Sequence, residues 1–138
     1  MKKSIIFNLA GLLAALFLLL PAKADAQISS DQETYNQGID NFNRGRYFQA
    51  IDNFNVLINA NKTGYLLYSY MYRAFSKNEL GKYQEAITDF TTALTKFPNN
   101  ADLLNGRAWS NCFAGNYNSA ISDATKALAI SKQPNYYD

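Results

Sequence analysis

Apolar residues recur along this chain at helical spacing, in pairs of stretches separated by a glycine. The clearest pair opens with Tyr68, Met71 and Phe75, which are three and seven residues apart and so share one side of a helix. Gly81 follows, and then a second helical stripe begins. That stripe consists of Ala86, Ile87, Phe90 and Leu94. The pattern predicts two helices joined by a short turn.

Glycine and proline indicate where these helices end. Gly81 stands where the first helix turns back, and a glycine enters the left-handed conformation of a helix end without a steric penalty. Pro98 stands where the second helix ends, because proline lacks the N–H that a continuing helix needs. The small residues Ala74 and Ala86 predict that the two helices approach closely. The unit is therefore an antiparallel helical hairpin.

The same phrase, Gly-x-Tyr-x-x-Ala-Ile, occurs three times, at residues 45–51, 81–87 and 115–121. Its alanines are Ala50, Ala86 and Ala120, so the phrase returns at a nearly constant interval. A period of about 35 residues is typical of one supersecondary unit stacked on copies of itself. The sequence predicts an all-α fold of antiparallel hairpins, and it directs the search for function towards surfaces.

The three units resemble tetratricopeptide repeats. The matching columns are Gly38/Ala74/Ala108, Gly45/Gly81/Gly115, Tyr47/Tyr83/Tyr117, Ala50/Ala86/Ala120, Phe54/Phe90/Ala124 and Leu57/Ala93/Ala127. The resemblance implies a short right-handed α-solenoid of about three units, at residues 31–64, 67–100 and 101–134, with the start of an incomplete further helix at 135–138. One column departs from the family, because it is polar where an aromatic residue is usual. It holds Asn41, Lys77 and Asn111. The first unit is also two residues longer near its closing turn, at 61–64.

The N-terminus has the features of a secretory signal. Lys2 and Lys3 precede an apolar run at 5–20, and the small residues Ala24 and Ala26 follow it. We predict a cleavable signal peptide at 1–26, a tetratricopeptide domain at 27–138, and a periplasmic or secreted location. The alternative is an uncleaved membrane anchor, although a run of 16 residues is short for a span of about 20.

Removal of the predicted signal changes the charge of the chain. Residues 1–26 hold three of the 13 basic residues and one of the 11 acidic residues, so the rest carries ten of each. A neutral domain without a basic stripe argues against nucleic acid as a partner. Cys112 is the single cysteine, which excludes an internal disulfide. We interpret it as a small, packed helix residue, the alternative being a reactive thiol or a bond between chains.

Residues that carry catalytic chemistry are scarce. The chain has no histidine, which removes the commonest general base and metal ligand. Glu85 and Asp89 form a carboxylate pair at i and i+4, which we expect to be solvated on an outer helix face. The sequence predicts a protein that is not an enzyme, with no catalytic residue, no metal site and no cofactor.

The family resemblance implies that a partner docks on the concave face lined by the first helix of each hairpin. Residues carried over to that face are mostly aromatic: Tyr35, Ile39, Phe42, Tyr68, Met71, Phe75, Trp109 and Phe113. Family members that clamp acidic chaperone tails use basic residues there, and those are missing here. The face suits an apolar peptide or an amphipathic helix. The alternative is that several of these side chains pack inside as core.

These observations predict an exported protein–protein interaction module, either an adaptor or an assembly factor, whose partner is a protein or peptide. The alternative is a self-associating structural module, or a truncated fragment of a longer array. The last predicted helix leaves Ile121 and Leu128 uncovered, and repeat arrays normally end in a polar-faced helix. Homo-oligomers would then form through this uncapped C-terminal end, and the membrane would be involved only if the N-terminal segment is retained as an anchor.

Overall fold

The structure is a computed structural model that describes residues 26–28 and 30–132. The chain divides into two units, Met1–Glu33 and Thr34–Asp138. In the first unit, the described residues 26–28 and 30–33 are helical. The predicted signal peptide, apart from its last residue, and the predicted further helix at 135–138 lie outside the described residues.

The second unit is all-helical over its described residues, as the apolar pattern predicts. Its helices are α1 (34–43), α2 (Tyr47–Asn59), α3 (Leu66–Glu79), α4 (Tyr83–Lys96), α5 (Ala101–Phe113) and α6 (Tyr117–Ser131). From α2 to α6 each helix packs against the next, and α3 also contacts α5. Three antiparallel hairpins, α1–α2, α3–α4 and α5–α6, are thus stacked as an α-solenoid, which confirms the predicted fold class.

The glycine of each repeated phrase has the left-handed conformation. Gly45, Gly81 and Gly115 have φ angles of 71°, 72° and 79°. At the second turn the N–H of Lys82 donates to the carbonyl of Lys77 at 2.8 Å, and the N–H of Gly81 donates to that of Asn78 at 2.9 Å. This pair of bonds satisfies carbonyls that the end of α3 would otherwise leave unpaired. The same turn therefore closes every hairpin.

Small residues bring the two helices of a hairpin together, as predicted. Ala50, Ala74 and Ala86 are fully buried. A methyl group added to Gly38 would lie 2.8 Å from the ring of Phe54, which leaves no room for a side chain. The turn at residues 60–65 is two residues longer than the one at 97–100, and Asn61 takes a positive φ of 49° there.

The polar column that departs from the family pattern pairs with the second helix of its own hairpin. Asn41 donates to Asn53 at 2.9 Å, and the Lys77 ammonium lies 2.8 Å from the Asp89 carboxylate. In the third hairpin, the Asn111 amide donates to Asp123. In all three units this column therefore makes a polar contact between the two helices of the hairpin.

Candidate binding surface

Three of the residues predicted to bind a partner are exposed on the first helices of their hairpins. Tyr68 on α3 is 49% exposed, and Trp109 and Phe113 on α5 are each 56% exposed. The rings of Trp109 and Phe113 stack with centroids 6.0 Å apart, and Phe113 also stacks on Tyr83 at 5.4 Å. We call these three residues, Tyr68, Trp109 and Phe113, the first-helix face. They offer large apolar surface to solvent on a rigid helical support.

The other five predicted residues are half-buried against the core. Tyr35, Ile39 and Phe42 pack on the cluster around Phe54, and Met71 and Phe75 pack on the cluster around Phe90. Burial, together with the neighbouring phenols of Tyr72 and Tyr68, raises the pKa of Tyr35 above its ordinary value. These side chains are only partly accessible to solvent, and their part in binding stays a prediction.

The basic side chains of α3 and α5 are held by buried carboxylates. The Arg73 guanidinium donates two hydrogen bonds to Asp89, at 2.6 and 2.9 Å, and Arg107 does the same to Asp123, at 2.8 and 2.7 Å. Asp89 is only 4% exposed. The expectation that Asp89 is solvated was therefore wrong, whereas its neighbour Glu85 is exposed.

Each of these arginines also reaches the preceding hairpin. Arg73 donates to Asn55 on α2 at 2.7 Å, and Arg107 donates to Thr91 on α4 at 3.2 Å. Arg73 and Asp89 are 16 residues apart, and so are Arg107 and Asp123. This equal spacing in the sequence could have predicted the two ion pairs. Because the guanidinium groups of Arg73 and Arg107 are paired with Asp89 and Asp123, the first-helix face is apolar rather than cationic.

A second apolar feature lies between α5 and α6. A groove of about 340 Å³ is lined by Ala108, Trp109 and Cys112 of α5 and by Ala120, Ile121 and Ala124 of α6. It continues past Asn105 and Ala124 towards Leu128. Ile121 and Leu128 are 65% and 59% exposed. We call this the end groove.

Cys112 differs from its predicted setting, because it is exposed rather than packed. It lies on the side of α5 that borders the end groove, over which none of the other described helices packs. Within residues 26–28 and 30–132, no group of three or more cysteine, aspartate or glutamate side chains is placed to hold a metal ion. Across the same residues, no helix has the length and apolarity to cross a membrane.

Comparison with known proteins gives one family match. Residues 68–100, which form the second hairpin, match the tetratricopeptide repeat model. No curated protein matches the chain by sequence.

Solved structures with the same fold include tetratricopeptide domains. The first such domain of human RPAP3 is 20% identical, with a TM-score of 0.68, over 77% of this chain and 81% of that one. The Arabidopsis OM64 domain is 21% identical, with a TM-score of 0.68, over 78% and 87%. The second domain of Spaghetti (RPAP3), solved with the HSP90 peptide SRMEEVD bound, is 24% identical, with a TM-score of 0.64, over 78% and 97%.

Proposed function

We propose that this chain, whose second hairpin matches the tetratricopeptide repeat model and whose fold is that of tetratricopeptide domains, is an exported protein–protein interaction module, an adaptor or assembly factor without catalytic activity of its own. The observation that carries the proposal is the first-helix face. Tyr68, Trp109 and Phe113 each leave about half of their surface exposed to solvent and outside the core. Tyrosine and tryptophan are the residue types most enriched among binding hot spots. A related fold that holds a peptide supports the same use of the scaffold.

The electrostatics of the face favour an apolar segment as the partner. Arg73 and Lys77 are bound to Asp89, and both side chains are only 14% exposed. An acidic tail would find these cations already paired, so binding it would require breaking a buried ion pair. We therefore propose an apolar peptide or one face of an amphipathic helix as the ligand.

A photo-crosslinking residue placed at Tyr68 tests this proposal. In the native cells we expect a discrete adduct from this position, because Tyr68 is half-exposed on α3. The matched control places the same residue at Thr95, which is exposed on α4. Mass spectrometry of the adduct identifies the partner segment, which is then made as a peptide.

Titration of the purified chain with that peptide completes the test. We expect Tyr68→Ser combined with Phe113→Ser to weaken binding by roughly 100-fold, since two central aromatic contacts are worth about 3 kcal/mol or more in total. Unchanged circular dichroism would show that the fold is retained. Equal adducts from Tyr68 and Thr95, or undiminished affinity in the double variant, would contradict the proposal.

Export is the second part of the proposal, and it rests on the sequence of residues 1–26. We expect the exported chain to begin at Gln27, because Ala24 and Ala26 follow the apolar run at the spacing of a signal-peptide cleavage site. Intact-mass analysis of the periplasmic and secreted fractions measures this directly. Recovery of the full-length chain alone, in the membrane fraction, would favour the uncleaved anchor.

A further inference from the structure

The first helix of each hairpin contacts the second helix of the hairpin before it through the same columns of residues. These columns indicate which side chains a helix bound in the end groove would need. Tyr72 on α3 lies over Phe54 on α2, with the rings stacked at 5.9 Å. Gly106, which occupies the position of Tyr72 one repeat later, lies over Phe90 on α4, where an added methyl group would be 2.5 Å from the ring. The first helix of one hairpin thus places this column directly on the phenylalanine column of the hairpin before it.

At the end groove the phenylalanine column holds Ala124 instead. Ala124 stands one repeat after Phe90 and lines the groove of about 340 Å³. Gly106 is small because Phe90 is large. The reverse holds at the end groove, where the missing ring leaves space for a large side chain from whatever helix packs there.

Two further columns are repeated at the end groove. Arg73, which follows Tyr72, donates to Asn55, and Arg107, which follows Gly106, donates to Thr91. The residue that corresponds to these two acceptors in α6 is Thr125, which is exposed. Tyr47 donates a hydrogen bond to Glu79, and Tyr83 stacks on Phe113. Glu79 and Phe113 stand seven residues after Tyr72 and Gly106, respectively. The corresponding Tyr117 is 64% exposed.

We propose that the end groove binds an amphipathic helix of another protein, as a second site that adjoins the first-helix face at Trp109. This helix carries a large apolar residue opposite Ala124 and, at its next position, an arginine that donates to Thr125. Six positions after that arginine it carries an aromatic or acidic residue that contacts Tyr117 of this chain. Its packing continues the hairpin-on-hairpin interface of the array.

A second copy of this chain fits the groove poorly. In α1 the column of Tyr72 and Gly106 holds Asn36, and the arginine column holds Gln37. Head-to-tail stacking would place the Asn36 amide in the apolar space opposite Ala124, at the cost of desolvating it. It would also put Gln37 at Thr125, where the pattern has an arginine.

The probe for this site is a capped peptide with the sequence of residues 66–79, because it already has the required pattern. It carries Tyr72 at the large position, Arg73 next and Glu79 at the last position. The matched control peptide carries Tyr72→Ala, which removes the ring and keeps a strong helix former. Trp109 is the only tryptophan of the chain and lines both the groove and the first-helix face, so its fluorescence reports binding and the protein variants below tell the two sites apart.

We expect the 66–79 peptide to bind the full chain roughly tenfold or more tightly than its Tyr72→Ala form, as burial of an aromatic ring predicts. In the Ala124→Phe protein that preference should disappear or reverse, because the new ring fills the space. The Tyr68→Ser and Phe113→Ser protein should keep the preference, which separates this site from the first-helix face.

Two results would overturn the proposal. One is an equal affinity of the two peptides, or a preference that survives in Ala124→Phe. The other is a wild-type chain that sediments as a dimer and becomes monomeric on Ala124→Phe or Leu128→Asp, which would make a second copy the occupant.

Discussion

Asp89→Ala should lower the free energy of unfolding by about 3–5 kcal/mol, because it removes the buried carboxylate that Arg73 and Lys77, two mostly buried cations, share. Asp89 accepts two hydrogen bonds from Arg73 and lies 2.8 Å from the Lys77 ammonium. Both basic side chains are only 14% exposed, so neither is well solvated once the carboxylate is gone. Urea denaturation followed by circular dichroism measures the loss.

The matched control is Asp40→Ala, which breaks an ion pair of the opposite kind. Asp40 and Arg44 are more than half exposed, and such surface pairs contribute about 0–1 kcal/mol. A second variant, Arg73→Met with Lys77→Met and Asp89→Leu, removes all three charges of this cluster and should cost much less than Asp89→Ala alone. An Asp89→Ala loss no larger than that of Asp40→Ala would contradict the assignment of Asp89 as a buried structural carboxylate.

The parts of this fold that repeat were the parts that the sequence could predict. Helical periodicity and the glycine at each turn depend on local chemistry, and the positive φ of Gly81 confirms that interpretation. The nearly constant period of the repeated phrase predicted the stacking of hairpins, because a unit that cannot bury its apolar face alone buries it against a copy.

The environments of individual side chains were harder to predict, because they depend on contacts between helices. Asp89 is a charged residue next to the exposed Glu85, and nothing local distinguishes the two. What buries Asp89 is Arg73, which lies earlier in the chain on the facing helix. The polar residue Lys77 departs from the family pattern for the same reason, since it completes this pairing.

The candidate surface was predicted in part for a similar reason. The family resemblance placed Phe75 and Trp109 in one column, a single repeat apart, and implied that both lie on the binding face. The structure separates them, because Phe75 is half-buried and meets the fully buried ring of Phe90 edge to face at 5.3 Å. Trp109, in contrast, is 56% exposed. Position in the stack, which a single repeat does not encode, decides whether such a ring is core or surface.

The difference between buried and exposed aromatic rings gives the other large effect. Phe90→Ala should lower the free energy of unfolding by about 3–5 kcal/mol, the usual cost of truncating a buried aromatic side chain. Phe90 is fully buried, meets Phe75 edge to face at 5.3 Å, and supports the backbone of α5 at Gly106. The cavity would lie at the contact between the second and third hairpins, which are coupled only through such neighbours.

Trp109→Ala is the control, since it removes a larger aromatic ring that is exposed rather than buried. Trp109 is 56% exposed and stacks only on Phe113 among the described residues, so its loss should cost less than about 1 kcal/mol. Denaturant unfolding of both variants, with hydrogen exchange to locate the loosened hairpin, compares the two costs. A Trp109→Ala chain that is destabilised as much as Phe90→Ala would mean that Trp109 is core. The first-helix face would then lose its largest side chain as a binding surface.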